Sequence, residues 1–320
     1  MLTRQRLIVL LALFTVSANA GPLVYIVSAG ITGAGQFGTV DLTTGAFQQI
    51  GPLEPDGYFG LAPGPNGALL SLTYAGNLDS ISPATGVPTR IGATGLGACV
   101  IPSPSCGPTS AFSLGTVDGK IYATDFQNDL YGVNPLTGAA TLLSNATGLP
   151  ASPFILGSQN PDGTLNFADE AIWGSAGYLY ITYDAITFDL VTGQDTSIVI
   201  APKLYRVDPS TGLAIVIGPT DVGIGGATVV NGTTYAFNDL TGQIATLDLS
   251  TGTTNPTGYF DPSAGVIQGA SPTPEPESLA LAGIGIVALV ISRRRRRYCR
   301  FLRALVLDNQ RRALSGRKDV

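Results

Sequence analysis

Short runs of alternating apolar and polar residues fill most of this chain, from Gly21 to about Ala270. Gly, Pro, Asn and Asp residues bound these runs, and alternation with a period of two is typical of β-strands. No long stretch with the 3.6-residue period of a helix occurs before Leu279. The pattern therefore predicts an all-β domain over residues 21–270, which is long enough to bury a core as a single domain.

A Thr-Gly turn recurs along this domain, and the strand before it usually ends in Asp or Asn. We expect that side chain to accept backbone hydrogen bonds within the turn, a structural role. Several copies have an upstream Asn-Gly or Asp-Gly pair, which supplies the positive φ angles of a tight hairpin. Each unit is thus predicted to hold four antiparallel strands, the pattern of a propeller blade. The five turns end at Gly45, Gly86, Gly138, Gly212 and Gly252.

Five copies predict a β-propeller-like domain of about five blades, and a β-sandwich is the alternative fold. The first copy lacks an upstream strand, which the segment 258–269 could provide by pairing with the N-terminal blade and closing the ring. The interval from Gly138 to Gly212 is longer than the others and includes Thr192-Gly193, so it predicts an insertion or a further, irregular blade. The repeat resembles the Asp-x-x-Thr-Gly blades of bacterial surface propellers.

The N-terminal end carries a secretory signal. Arg4 and Arg6 precede a short apolar run, which ends at Ala18-Asn19-Ala20. Small residues at both positions that a signal peptidase recognises predict a signal peptide over residues 1–20, cleaved before Gly21. An uncleaved anchor is the alternative.

The C-terminal end combines three features in a fixed order. A Pro-rich spacer (271–277) containing Pro-Glu-Pro precedes an apolar segment (278–292), and five consecutive arginines open a basic tail (293–320). The apolar segment is predicted to be a single transmembrane helix with the arginines on its cytoplasmic side. The alternatives to a sorting signal at this end are an ordinary single-span anchor and a soluble helix.

This order of features resembles the PEP-CTERM sorting signal of Gram-negative envelope proteins. The resemblance implies processing by an exosortase, a membrane-embedded cysteine transpeptidase, and then display or release in an exopolysaccharide-rich matrix. Arginines usually end proteins of that family, whereas 298–320 follow here, either through a lost stop codon or as a cytoplasmic extension. The residues that carry the motif are Pro274, Glu275, Pro276, Arg293, Arg294, Arg295, Arg296 and Arg297.

Charge divides the chain in the same way. The exported part, from Gly21 to Pro274, holds four basic and eighteen acidic residues, a net charge of −14, although the whole chain carries only −5. The other thirteen basic residues lie in the leader or after Ser292, where a cytoplasmic flank belongs. An acidic ectodomain repels nucleic acid and favours cations or neutral polymers such as polysaccharide.

The absence of histidine limits the chemistry available. It excludes Ser-His-Asp and Cys-His catalysis and the usual histidine-bearing zinc sites. A propeller glycosidase or polysaccharide lyase would need separated carboxylates converging on one cleft. Asp169 and Glu170 are adjacent, so on a strand they would point to opposite faces. The acidic residues considered are Asp125, Asp169, Glu170, Asp184 and Asp189.

The segment 158–169 has the spacing of a calcium loop, with oxygen-bearing side chains at its first, third, fifth, ninth and twelfth positions and Gly at its sixth. The predicted calcium ligands include Asn160, Asp162 and Asp169, and no other cofactor is expected. The favoured alternative is a β-hairpin that turns at residues 160–163, because neither flank is helical in pattern.

Two further groups have both a functional and a structural interpretation. Cys99 and Cys106 bracket a Pro-rich loop and predict a disulfide in an oxidising envelope, whereas Cys299 is expected to stay reduced. Trp173, with Tyr178, Tyr180 and Tyr183, could stack on sugar, although aromatic residues at alternate strand positions more often pack in a core.

Two functions follow from these patterns. The first is a non-catalytic binding or adhesion module, sorted by an exosortase, anchored in the inner membrane before processing and then held at the cell surface or in the matrix. Its expected partners are signal peptidase, exosortase, and exopolysaccharide or matrix proteins. The second is a carboxylate-dependent carbohydrate-active enzyme on the same scaffold. A cleft with convergent carboxylates would favour the enzyme, and acidic residues confined to turns would favour the binding module.

Overall fold

The chain forms an all-β propeller of five blades. The computed structural model describes residues 21–29, 34–100, 105–106, 109–151, 160–189, 194–238 and 241–273. In that part of the chain, twenty strands make five four-stranded antiparallel sheets, two more make a small hairpin, and two 3-10 helices span Pro65–Gly67 and Pro262–Ala264. The predicted fold and blade number are confirmed, and the β-sandwich alternative is wrong.

Each blade is a meander in which consecutive strands pair. Blade 1 contains β1 (Leu23–Ala29), β2 (Gly35–Asp41) and β3 (Phe47–Gln49), and blade 2 contains β4 (Tyr58–Pro63), β5 (Leu69–Thr73), β6 (Asn77–Ile81) and β7 (Pro88–Ala93). The small hairpin is β8 (Cys99–Val100) and β9 (Ser105–Cys106), and blade 3 follows as β10 (Ala111–Val117), β11 (Lys120–Asp125), β12 (Leu130–Val133) and β13 (Ala140–Ser144).

The remaining strands complete the ring. Blade 4 contains β14 (Leu165–Ser175), β15 (Tyr178–Asp189), β16 (Gln194–Val207) and β17 (Ala214–Pro219), and blade 5 contains β18 (Gly226–Val230), β19 (Thr233–Phe237), β20 (Gln243–Leu247) and β21 (Thr254–Tyr259). The last strand, β22 (Val266–Pro272), returns to blade 1 and pairs antiparallel with β1. This pairing confirms the predicted closure, and β22 extends two residues past the predicted domain boundary at residue 270.

The inner strands of the five blades are β22, β4, β10, β14 and β18, and they run in one direction. The hydroxyl of Thr116 on β10 donates to the carbonyl of Pro63 on β4 at 3.0 Å, while Gly60, earlier on β4, lies against Leu114, earlier on β10. All inner strands therefore begin at the same end of the propeller, which we call the upper face. It also carries the links between blades and the loops that join second and third strands.

Packing between neighbouring blades forms the core. Apolar side chains of adjacent sheets make five buried clusters, because alternate residues of each strand face one neighbour or the other. Large residues that are almost fully buried, such as Leu72, Leu114 and Leu179, lie on the inner two strands of their blades. The ring geometry thus follows from sheets that are apolar on both faces.

Hairpin turns follow the expected chemistry. Asn66, Asp118 and Asn231 adopt φ angles of 57°, 50° and 50°, and each precedes a glycine that also has a positive φ. Both positive angles match the twist of the flanking strands. Ala176 occupies the equivalent position in blade 4 at φ 49°. That turn is absent from the sequence predictions because alanine rarely adopts this conformation.

The Thr-Gly turns are capped as predicted. Asp41 Oδ1 accepts hydrogen bonds from the backbone N–H groups of Thr43 and Thr44, at 2.8 and 3.0 Å. Asp208 and Asp248 accept bonds from both the hydroxyl and the backbone N–H of Ser210 and Ser250, and these bonds, the hydroxyl bonds first, hold the pKa of both carboxyls below the ordinary value. These acidic residues are therefore structural.

The glycines of these turns also join one blade to the next. A Cβ built on Gly86 would lie 2.0 Å from the carbonyl oxygen of Ile50, at the end of the outer strand of blade 1. Conversely, a Cβ on Gly92 of β7 would lie 2.2 Å from the carbonyl oxygen of Thr137, and one on Gly218 of β17 would lie 2.0 Å from that of Thr251. The repeated Thr-Gly and Ile-Gly pairs therefore mark sites where backbones of adjacent blades touch.

Blade 4 contains an insertion. Its β14, β15 and β16 are 11, 12 and 14 residues long, and β17 pairs only with residues 203–207 of β16. Residues 185–189 and 194–201 therefore extend past the end of β17, and we call them the arm. The insertion alternative is confirmed for the long interval, while Thr192-Gly193 lies outside the described residues.

The predicted export segments also lie outside the described residues. They comprise the signal peptide (1–20), the Pro-Glu-Pro motif, the transmembrane segment (278–292) and the basic tail (293–320). Among the residues that the structure describes, no helix is long and apolar enough to cross a membrane.

Candidate functional site

Aromatic side chains gather at the upper face, near the propeller axis. Phe59 and Phe112 stand at the starts of two inner strands, and Tyr74 and Phe126 directly follow the adjacent second strands. Ring centroids are 4.2 Å apart for Phe59 and Tyr74 and 4.1 Å apart for Phe112 and Phe126. Tyr183 of blade 4 lies edge-on to Phe112 at 6.4 Å. This upper aromatic cluster spans blades 2, 3 and 4.

The half-buried side of the cluster is polar. Tyr74 Oη donates to Gln268 Oε1 at 2.7 Å, which links blade 2 to the inner strand of blade 1. Burial raises the pKa of Tyr74 to about 12, so the phenol stays protonated and remains a donor. Phe59, Tyr74 and Gln268 each keep part of their surface open to solvent. They therefore combine ring faces with a side-chain amide, the groups that commonly hold a neutral sugar.

Glu170 is enclosed between blades 3 and 4. It is 4% exposed, and the Thr124 hydroxyl donates to its Oε1. Its Oε2 has no hydrogen-bond partner among the described residues. Burial raises the pKa of Glu170 to about 8, the Thr124 bond opposes this rise, and the nearby Asp125 charge adds to it. Glu170 is therefore mainly protonated at neutral pH.

Asp125 has a full set of local partners. Its Oδ1 accepts from the backbone N–H groups of Gln127 and Asp129, at 2.9 and 3.0 Å, and its Oδ2 accepts from Tyr131 Oη at 2.9 Å. Burial raises its pKa against the effect of these bonds. Asp125 thus closes the loop between β11 and β12, and it is fully buried.

Asp169 and Asp184 lie on the opposite side of blade 4. They are direct cross-strand partners on β14 and β15 and are 5% and 4% exposed. A Cβ built on Gly223, in the link to blade 5, would lie 3.3 Å from Asp169 Oδ2 and 3.0 Å from Asp184 Oδ2. The predicted separation of Asp169 from Glu170 by strand alternation is therefore confirmed.

The five acidic residues considered for catalysis do not share a cleft. Glu170 lies toward blade 3, where Asp125 ends β11; Asp169 and Asp184 lie toward the link to blade 5, and Asp189 ends β15 in the arm. In the described part of the chain, no three acidic or cysteine side chains are grouped to hold a metal ion.

The segment with calcium-loop spacing forms the turn of a β-hairpin at residues 160–163, which was its favoured alternative. The Asn160 N–H donates to the Thr164 carbonyl at 2.8 Å across the turn, and Asp162 Oδ1 accepts from the Thr164 N–H at 3.0 Å. Asp169 instead lies four residues inside β14, about 13 Å along the strand from Leu165. The structure therefore does not bring Asp169 to the turn, and calcium binding at Asn160 and Asp162 stays a prediction.

The cysteine and aromatic predictions differ in outcome. The backbone register of the small hairpin places Cys99 directly opposite Cys106. This arrangement suits a disulfide, and the disulfide itself stays a prediction.

Trp173 and Tyr180 stack at 6.0 Å within a buried cluster between blades 4 and 5, and Tyr183 is buried in the upper aromatic cluster. The core interpretation is therefore correct for these three.

The upper face holds the residues that sequence patterns did not single out, namely Phe59, Tyr74 and Gln268. Each is an ordinary strand or turn residue in its own segment. Their sequence signal is weak, because Gln268 lies 194 residues after Tyr74 in the chain. Closure of the ring brings Gln268 to the other two.

The fold defines a closed five-bladed β-propeller. Residues 272–297 match the PEP-CTERM protein-sorting motif, which directs export and membrane-anchored processing by an exosortase in Gram-negative bacteria. The likeness to Asp-x-x-Thr-Gly surface propellers stays a prediction.

Comparisons of the whole chain show propellers at low identity. A chain of a nidogen/laminin complex is 12% identical with a TM-score of 0.45, covering 78% of this chain and 97% of that chain. The PQQ-bound aldose sugar dehydrogenase from Streptomyces coelicolor is 14% identical with a TM-score of 0.41, covering 67% and 84%. An inactive virginiamycin B lyase from Staphylococcus aureus is 15% identical with a TM-score of 0.36, covering 76% and 71%. No curated protein sequence matches the chain.

Proposed function

We propose that this propeller is a non-catalytic binding module that an exosortase delivers to the cell surface or matrix, where its upper face holds exopolysaccharide. The observation that carries the proposal is the enclosure of the carboxyl groups. Asp125, Asp169, Glu170 and Asp184 are at most 5% exposed and are divided between the two sides of blade 4, with Glu170 and Asp125 of blade 3 on one side and Asp169 and Asp184 on the other. A polymeric substrate could not reach them without opening the core.

The upper aromatic cluster supplies the binding chemistry. Phe59, Tyr74 and Gln268 offer partly open ring faces and an amide, and sugars pack on rings and bond to amides. The exported part has a net charge of −14, which repels anionic polymers. A neutral polysaccharide is therefore the favoured ligand class.

A co-sedimentation assay with the exopolysaccharide of the host tests this proposal. We expect the wild-type protein to sediment with the polymer and Gln268→Ala to bind at least fivefold more weakly, because one amide contact and the support of Tyr74 are lost. The matched control is Gln48→Ala, an exposed glutamine on the outer strand of blade 1, which should bind like the wild type. Equal binding by both variants would place the ligand elsewhere.

The alternative is a carboxylate-dependent enzyme, and one observation favours it. A protonated Glu170 next to Asp125 resembles the unequal carboxyl pair of a general acid and its partner. Reducing-end assays on the same polysaccharide separate the two functions. Release of new chain ends by the wild type, lost in Glu170→Gln, would establish the enzyme.

Sorting is tested on the full chain in its native host. We expect intact-mass analysis to show a mature product that starts at Gly21 and ends between residues 274 and 278. Glu275→Ala should leave a precursor that still carries Val320, because the Pro-Glu-Pro triplet is altered, whereas Glu277→Ala, just after the triplet, should be processed normally. Wild-type protein that retains Val320 would contradict exosortase processing.

A further inference from the structure

The segment that precedes β1 folds back on the Asp41 turn of blade 1. The Leu42 N–H donates to the Pro22 carbonyl at 2.9 Å, and the backbone N–H of Gly21 hydrogen-bonds to the Asp41 carboxyl. A Cβ built on Gly21 would clash with the Thr43 hydroxyl and lie 2.7 Å from Asp41 Oδ1. Glycine at position 21 therefore allows the backbone to lie directly against this turn.

The carboxyl of Asp41 accepts bonds from two separate segments of the chain. Thr43 and Thr44 donate from its own turn, and Gly21 donates from the segment before β1. Burial acts to raise the pKa of Asp41, but the bonds from Thr44, Thr43 and Gly21 outweigh it and hold the pKa below the ordinary value. The group is therefore a carboxylate at neutral pH and can hold a positive charge.

The donor at Gly21 changes its chemistry when the predicted signal peptide is removed. Signal peptidase hydrolyses the peptide bond between Ala20 and Gly21. The water oxygen stays on Ala20, which leaves as a carboxylate, and the Gly21 nitrogen takes both protons of the water. A neutral amide with one N–H thereby becomes an α-ammonium group with three. A hydrogen bond between two charged groups is stronger than one with a neutral donor.

We propose that removal of the signal peptide creates an ion pair between the Gly21 α-ammonium and the Asp41 carboxylate, and that this pair secures the closed ring. Strand β1 begins at Leu23, directly after the pair, and its Val24 lies opposite Pro272 at the end of the closing strand β22. Fixing Gly21 therefore restrains the strand on which closure depends. The inference requires cleavage before Gly21 and is independent of sugar binding.

An insertion in the full chain tests the pair. A serine placed between Ala20 and Gly21 should remain on the exported product, because Ala18 and Ala20 still mark the cleavage position. The charge then moves one residue away while Gly21 keeps its amide N–H. We expect the unfolding equilibrium constant, measured by urea titration, to rise about three- to fivefold, as for a partly exposed ion pair. Intact-mass analysis verifies both N-termini, and a wild-type product that does not begin at Gly21 would overturn the proposal.

Two aspartate variants decide whether the charge acts on Asp41. Asp41→Asn should keep the turn, because Asn134 caps the equivalent turn of blade 3 through the N–H groups of Leu136 and Thr137, at 2.9 and 3.3 Å. In this variant the added serine should have no effect. In the matched control Asp248→Asn, at the equivalent turn of blade 5, the effect of the serine should remain. Equal effects in both variants, or no effect in the wild type, would refute the ion pair.

Discussion

Replacing Glu170 with glutamine should stabilise the propeller at alkaline pH by up to about 5 kcal/mol. The pKa of Glu170 is raised from 4.5 to about 8, and one pKa unit corresponds to about 1.4 kcal/mol. Between these two pH values the folded protein keeps a proton that the unfolded chain releases. Stability of the wild type therefore falls as pH rises from 4.5 to 8, and above 8 the full penalty of the buried charge is present.

Glutamine removes this dependence because it cannot ionise and has nearly the same shape. It also retains a donor for the unpartnered position at Oε2. Urea unfolding curves of both proteins, recorded from pH 4 to pH 9, measure the difference in the free energy of unfolding. The variant should match the wild type near pH 4 and exceed it increasingly toward pH 9.

Glu54→Gln is the matched control, because Glu54 is the only other glutamate in the propeller and is only partly buried. Its pKa is also raised by burial, so the same sign is expected with a much smaller amplitude. Parallel stability curves for Glu170→Gln and the wild type across this pH range would show that the carboxyl is ionised without penalty.

Adding one methyl group at Gly218 should cost about 2 to 3 kcal/mol, the usual price of overpacking. A Cβ there would lie 2.0 Å from the carbonyl oxygen of Thr251, which is backbone and cannot rotate away. Relief of the clash requires blades 4 and 5 to separate locally. The measurement is the free energy of unfolding of Gly218→Ala from chemical denaturation.

Gly258→Ala is an unusually close control. Gly218 and Gly258 are both the fifth residue of the outer strand of their blades, and neither has a positive φ. A Cβ on Gly258 would meet nothing within 4 Å. We expect no loss there and a gain of up to about 0.5 kcal/mol, because alanine restricts the unfolded chain. Equal losses in both variants would mean that contact between blades is not the cause.

Several features of this protein follow from the sequence alone because their causes are local. Strand alternation places Asp169 and Glu170 on opposite faces, since neighbouring side chains of a strand always diverge. Asp41 caps its turn through bonds to residues two and three positions away. The repeat number predicts the blades, and the order of spacer, apolar segment and arginines identifies the sorting motif.

Other features are fixed only when the ring closes. Gly92 and Thr137 belong to different blades, and nothing near either residue in the chain indicates that their backbones touch. Likewise, the high pKa of Glu170 depends on burial against Thr124, and Tyr74 finds Gln268 across 194 residues of sequence. Periodicity and turn chemistry act over a few residues and so determine strands and turns. Burial and contacts between blades depend on how whole sheets pack, which only the tertiary structure decides.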